Sequence, residues 1–86
     1  MIERGNGPTK VEVAAAFGAV LQRRRRARGL TQERLAEEGR VTPQFVSMLE
    51  RGQHQPSLHT LLWLARGLGD EPLDLLRDVC NVLEGR

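Results

Sequence analysis

Cysteine is almost missing from this chain: Cys80 stands alone among 86 residues, so no internal disulfide can form. No Cys/His group has metal-ligand spacing either, and no metal or cofactor is expected. Aromatic residues are scarce at 3%, with tyrosine absent. No apolar run reaches 18 residues and no basic-then-apolar leader ends in a cleavage site, so neither a membrane span nor a secretory signal is predicted and the expected location is the cytoplasm. Strand patterns and internal repeats are also lacking. What remains is an ordinary globular composition, 40% hydrophobic and 28% charged, in a length that holds one small domain. Such a chain buries a modest share of its surface, and oligomerisation is the remaining route to more.

The net charge of +2 conceals an asymmetry. Residues 1–56 carry ten Lys or Arg against six Asp or Glu, whereas residues 57–86 carry three against five. The densest basic cluster is Arg23, Arg24, Arg25, Arg26 and Arg28. A basic portion of this kind suits a polyanion, although an arginine run on a helix is often only a solvated face.

Residues 1–10 contain Gly5, Asn6, Gly7 and Pro8 and read as a flexible arm. Val13, Phe17, Val20 and Leu21 then recur at helical spacing, predicting a first helix from about Val11 to Ala27 that Gly29 ends. Thr31 caps a short second helix that stops at Gly39. Thr42 and Pro43 open a third, closing at Gly52. Ser57 caps a fourth, with Leu58, Leu61, Leu62, Ala65 and Leu68 on its predicted inner face. Pro72 begins a fifth, running to about Leu83. The second and third helices lie only about three residues apart, which forces a sharp crossing. The fold class is therefore all-α, with five helices.

The ordered set Phe17-Gly18, Leu21, Arg25, Arg28-Gly29-Leu30-Thr31-Gln32, Leu35-Ala36, Val41-Thr42, Val46-Ser47, Leu49-Glu50-Arg51-Gly52, Pro56-Ser57-Leu58, Leu61-Leu62 and Leu64-Ala65 closely resembles the Xre/Cro family of helix-turn-helix regulators. That family includes phage repressors, restriction-modification controllers and antitoxins. The resemblance implies a Cro/phage-repressor-like domain over residues 11–86 that binds double-stranded DNA and regulates transcription. Its recognition helix would be about Pro43 to Arg51, roughly 13 Å long at 1.5 Å per residue and matched to a major groove about 12 Å wide.

With Val46 and Leu49 turned inward, Thr42, Pro43, Gln44, Ser47 and Met48 are the candidate base readers. Gln44 is foremost, because an amide can pair bidentately with adenine. Met48 would either touch thymine methyls or pack on a neighbouring helix. Expected phosphate contacts are Arg23, Arg26, Arg28, Gln32, Arg51, Gln53 and His54. In the family the glutamine matching Gln32 touches the DNA backbone and steadies the next helix, and the arginine matching Arg25 pairs with the glutamate matching Glu50. A structural Arg25–Glu50 ion pair follows from the resemblance.

Three departures from the family pattern stand out. Gly39-Arg40 replaces the usual Ala-Gly before the turn, so either Arg40 adopts a positive φ, at a cost of about 1 kcal/mol, or the second helix ends early at Gly39. Arg24 stands where an apolar residue is common, and Asp70 where a small apolar residue usually packs.

The last helix carries two apolar stripes, Leu73, Leu76, Cys80 and Leu83 beside Leu75, Val79 and Val82. One would serve the core and the other a two-fold self-interface, making residues 70–86 a dimerisation element. Trp63, Leu75, Val79, Val82 and Leu83 are the expected interface residues, with Trp63 alternatively covered within the chain. A homodimer would read half-sites about 34 Å apart and either block or contact RNA polymerase. A different reading is a protein-interaction module of antitoxin-like or polymerase-binding kind, using Trp63, Met48 and the last helix. An enzyme is not expected, because His54 lies in a loop, His59 on a helix, and Cys80 is expected to be buried, with no nucleophile-base constellation.

Overall fold

A computed structural model describes residues 7–85. Five helices follow one another: α1 (Lys10–Ala27), α2 (Gln32–Gly39), α3 (Pro43–Glu50), α4 (Leu58–Leu68) and α5 (Pro72–Leu83). Among the described residues there is no strand. Four helices begin at a side-chain cap: the hydroxyls of Thr9, Thr31, Thr42 and Ser57 accept from the backbone N–H groups of Glu12, Arg34, Phe45 and Thr60. Each satisfies one of the donors a helix start leaves unpaired. Pro43 and Pro72 occupy first helical positions, where a missing N–H costs nothing.

The end of the stretch expected to be a flexible arm, residues 1–10, belongs to the start of α1. Residues 1–6 fall outside the described residues, but Thr9 caps α1 and Lys10 is its first residue, because Thr9 and Glu12 complete a reciprocal capping box.

One core joins all five helices: Ala16, Phe17, Val20 and Leu21 from α1, Leu35 and Ala36 from α2, Val46 and Leu49 from α3, Leu61, Leu64, Ala65 and Leu68 from α4, and Leu75 and Val79 from α5. Two expected faces are rotated. In α4 the buried row is Leu61, Leu64, Ala65 and Leu68, while Leu58 and Leu62 are 70% and 46% exposed. In α5 the row Leu75, Val79 and Leu83 packs inward, and Leu73, Leu76, Cys80 and Val82 face outward. Leu75 and Val79 are thus core rather than interface residues, and Leu83 packs against the same core. Cys80 is exposed, not buried. The reason is one of helical phase: residues spaced i, i+4, i+8 form one row, and α5 lays that row against α1 and α4.

The crossing of α1 and α3 depends on Gly18. A Cβ there would run into the Leu49 carbonyl oxygen and come within 2.9 Å of that of Glu50. Both obstacles are backbone and cannot rotate aside. Gly18→Ala is therefore expected to destabilise the domain by about 1–3 kcal/mol, despite alanine's better helix propensity. Urea unfolding of the two proteins measures it, and equal midpoints would refute the close approach.

Candidate nucleic-acid interface

The Glu50 carboxylate, its side chain only 1% exposed, organises the region around α3. Arg25 grips it through both arms of its fork, Nε to Oε2 at 2.6 Å and Nη2 to Oε1 at 3.0 Å, while Nη1 donates to the Leu30 carbonyl at 2.8 Å. Gln32 Nε2 donates to Glu50 Oε1 at 3.0 Å, and Gln22 Nε2 approaches the same oxygen at 3.5 Å. One carboxylate thereby joins α1, the start of α2 and the end of α3, and Arg25 ties in the α1–α2 loop. Burial alone would raise the Glu50 pKa, but the hydrogen bonds from Arg25 and Gln32 and the Arg25 charge hold it below the usual carboxylate range.

Between α2 and α3 lie only Arg40, Val41 and Thr42. Arg40 has φ 58° and ψ 41°. Both alternatives offered by the sequence are realised together: α2 ends at Gly39, and Arg40 still takes the left-handed conformation. It is the one non-glycine positive φ among the described residues. Its guanidinium lies 3.9 Å from the ring centroid of Trp63, a cation–π contact that offsets backbone strain of about 1 kcal/mol.

This short turn presents the start of α3 to solvent. Thr42, Pro43 and Gln44 are exposed, Ser47 and Met48 are partly buried, and Val46 and Leu49 are fully withdrawn into the core. Arg51, Gln53 and His54 are exposed just beyond the helix. The His54 ring sits 6.0 Å from that of Phe45, tilted against it, and Arg51 Nε reaches the Ser47 carbonyl at 3.4 Å. Gln32, at the opposite side of the turn, spends one amide hydrogen on Glu50.

The arginine cluster divides by face. Arg24 donates to Asp70 at 2.7 Å and to Asp78 at 2.6 Å. Arg28 pairs with Asp70 and donates to the Leu68 carbonyl, and Arg23 reaches Asp78 at 3.1 Å. Arg23 and Arg28, expected at the DNA backbone, are instead committed to the acidic end of the chain. Arg23 meets α5, whereas Arg28, the C-cap of α1, meets the end of α4 and the α4–α5 turn. Of the five arginines only Arg26 is exposed and without an ion-pair partner among the described residues.

Sequence reasoning noticed Arg24 and Asp70 as separate oddities and missed that they answer one another. The Asp70 side chain is 2% exposed. Burial would raise its pKa, but the hydrogen bonds and charges of Arg28 and Arg24 lower it below the usual range. A signal was available: two apolar positions of one family pattern had acquired opposite charges. The Arg40–Trp63 contact left no comparable mark, since a tryptophan on a helix surface names no partner.

Two adjoining helices with a three-residue turn, the second seated by its partner's first residue and presenting an exposed polar start, define a helix-turn-helix DNA-binding domain. The helix-turn-helix family profile matches residues 21–76, and the chain belongs to this family, in its Xre/Cro type. It is similar to y4dJ, a transcriptional regulator of the helix-turn-helix type from Sinorhizobium fredii, at 39% identity over 77% of this chain and 86% of the relative. A regulator of the same type from Methanothermobacter thermautotrophicus is 42% identical over 64% of this chain and 80% of its own length. Among solved structures, the clp gene regulator ClgR of Corynebacterium glutamicum superposes with a TM-score of 0.80 at 33% identity, covering 84% of this chain and 77% of that one. The restriction-modification controller protein C.AhdI of Aeromonas hydrophila gives 0.70 at 40% identity, covering 72% and 94%. Among the described residues no helix is long and apolar enough to cross a membrane.

Proposed function

We propose that this DNA-binding regulator acts as a homodimer on a two-fold operator, reading each half-site with Pro43–Arg51 in the major groove and altering access of RNA polymerase to the promoter. The observation that carries the reading is the shared Glu50 carboxylate. It holds α3 by its buried end and leaves Thr42, Gln44 and Ser47 to face a base-pair edge. Gln44 is the principal reader, its amide engaged with no group among the described residues; Pro43 and Met48 supply apolar contact with thymine methyls. Gln32, Arg26, Arg51, Gln53 and His54 face the sugar-phosphate backbone, where the first residues of α2 also offer N–H groups.

The dimer reading rests on the outer face of α5, where Leu73, Leu76 and Cys80 are exposed together. A second copy related by a two-fold axis would cover this stripe and set two recognition helices about 34 Å apart.

Selecting bound sites from random DNA, followed by titrations over a salt series, tests the proposal. Affinity should fall steeply with salt as several phosphates are engaged. Gln44→Ala should cost about 1–3 kcal/mol at one base position and relax preference there, whereas Arg51→Ala should weaken all sites alike and lower the salt slope by about 1. No enrichment of any sequence, or a uniform loss for Gln44→Ala, would remove Gln44 as the reader.

A further inference from the structure

Ten arginines fall within the described residues, and six of them, Arg23, Arg24, Arg25, Arg28, Arg34 and Arg77, form ion pairs. Of the four that do not, two converge on one side chain. Arg40 lies 3.9 Å and Arg66 5.4 Å from the ring centroid of Trp63. Trp63 stands outside the hydrophobic core cluster and remains partly exposed. Its indole N–H donates to His59 Nε2 at 3.3 Å, which orients the ring. His59, Leu62, Trp63 and Arg66 line a concavity of about 190 Å³. Leu58 and Leu62, both exposed, share a face of α4 with Arg66 at four-residue spacing.

We propose that this patch is a docking site for an acidic segment of another protein, one bearing a carboxylate beside an apolar side chain. A guanidinium stacked on an indole uses its flat face and leaves its N–H edge free, and that edge matches a carboxylate bidentately. Neither the Arg40 nor the Arg66 guanidinium donates a hydrogen bond among the described residues, so both edges are available. The apolar side chain of the partner enters the concavity against Trp63 and Leu62, and tryptophan and arginine are the residue types that concentrate binding energy at protein interfaces.

A nucleic acid fits less well. Arg40 already covers a face of the indole on which a base would stack, and a phosphodiester offers nothing apolar to Leu58 and Leu62. The patch also lies at the C-terminal end of α2, the opposite end from Gln32. The inference is independent of which bases α3 reads.

Trp63 is the only tryptophan of the chain, so its fluorescence reports the site directly. The probe is an acetylated, amidated helical peptide with Glu and Leu at i, i+3 and i+4, compared with the same peptide carrying Gln for Glu. The expected result is a saturable change with the Glu peptide and none with the Gln peptide. Arg66→Gln and Arg40→Gly, the latter suited to a left-handed backbone, should each weaken binding by about tenfold, as loss of a charge-assisted hydrogen bond does. Circular dichroism and DNA titration of both variants separate lost docking from lost folding. Saturating the protein with a selected DNA duplex should leave peptide binding intact.

Equal binding of the Gln peptide, or unchanged affinity in both variants, overturns the proposal. Displacement of the peptide by duplex assigns the patch to DNA and overturns it likewise. A fluorescence change that tracks protein concentration without peptide, matched by sedimentation, assigns it to a second copy of the chain and does the same. Failure of DNA recognition by α3 would alter none of these peptide readings.

Discussion

Arg25→Ala is expected to destabilise the domain by about 3–5 kcal/mol, because it leaves the buried Glu50 carboxylate without its bidentate partner. Natural domains hold only about 5–15 kcal/mol in total, and a chain of this size sits low in that range, so a large unfolded fraction should be visible by circular dichroism at room temperature. Glu50→Ala should be equally damaging from the other side, stranding the guanidinium. Replacing both residues with leucine separates two roles. Stability should largely return, since a buried ion pair seldom outperforms well-packed apolar side chains. DNA affinity should not return, because Gln32 loses the oxygen that joins the start of α2 to the end of α3. Wild-type stability in Arg25→Ala would show that the pair carries no weight in the fold.

Asp70→Ala is expected to cost about 3 kcal/mol, the lower end of the range for a broken buried pair, since Asp78 still holds Arg24. The effect should concentrate on α5, which these contacts fasten to α1. Hydrogen exchange should therefore rise along 72–83 before it rises in α2 and α3. The double substitution Arg24→Leu with Asp70→Ala leaves neither charge stranded and should recover most of the loss. A single-site loss that the double substitution does not repair would mean the two side chains act separately.

The same carboxylates set the response to acid. Glu50, Asp70 and Asp78 are all held below their ordinary values near 4.5 and 3.8. For Asp78 the hydrogen bond from Arg24 is the leading cause. A carboxylate whose folded pKa is depressed binds protons more readily when unfolded, so its contribution to stability is complete above about pH 5 and drains away as pH falls towards the folded value. Thermal midpoints should accordingly be flat above pH 5 and fall below it. Asp70→Asn should reduce the steepness of that fall, as well as lowering the plateau.

Much of the fold was legible because it rests on local chemistry. Thr31, Thr42 and Ser57 are strong caps wherever they precede an amphipathic run, Gly29 and Gly52 take positive φ where helices end, and Val46 and Leu49 are three residues apart on one face. These features act within a few residues and need no knowledge of neighbours. The exposed start of α3 was legible for the same reason.

What the sequence left open depended on rotation and on distance along the chain. The two stripes of α5 are equally apolar, and only packing against α1 and α4 selected Leu75, Val79 and Leu83 for the core over Leu73, Leu76 and Cys80. Five neighbouring arginines carry the same charge in every window of sequence. Tertiary structure alone separated Arg25, closed on Glu50, from Arg24 and Arg28, closed on Asp70 more than 40 residues away, and left Arg26 free. Composition and caps determined that this chain is a five-helix domain with a polar helix on display, because hydrogen bonding and burial at the scale of one turn are written in adjacent residues. Which charges are left to solvent and which bind the fold together was decided by the crossing of helices, because a guanidinium finds its carboxylate through space.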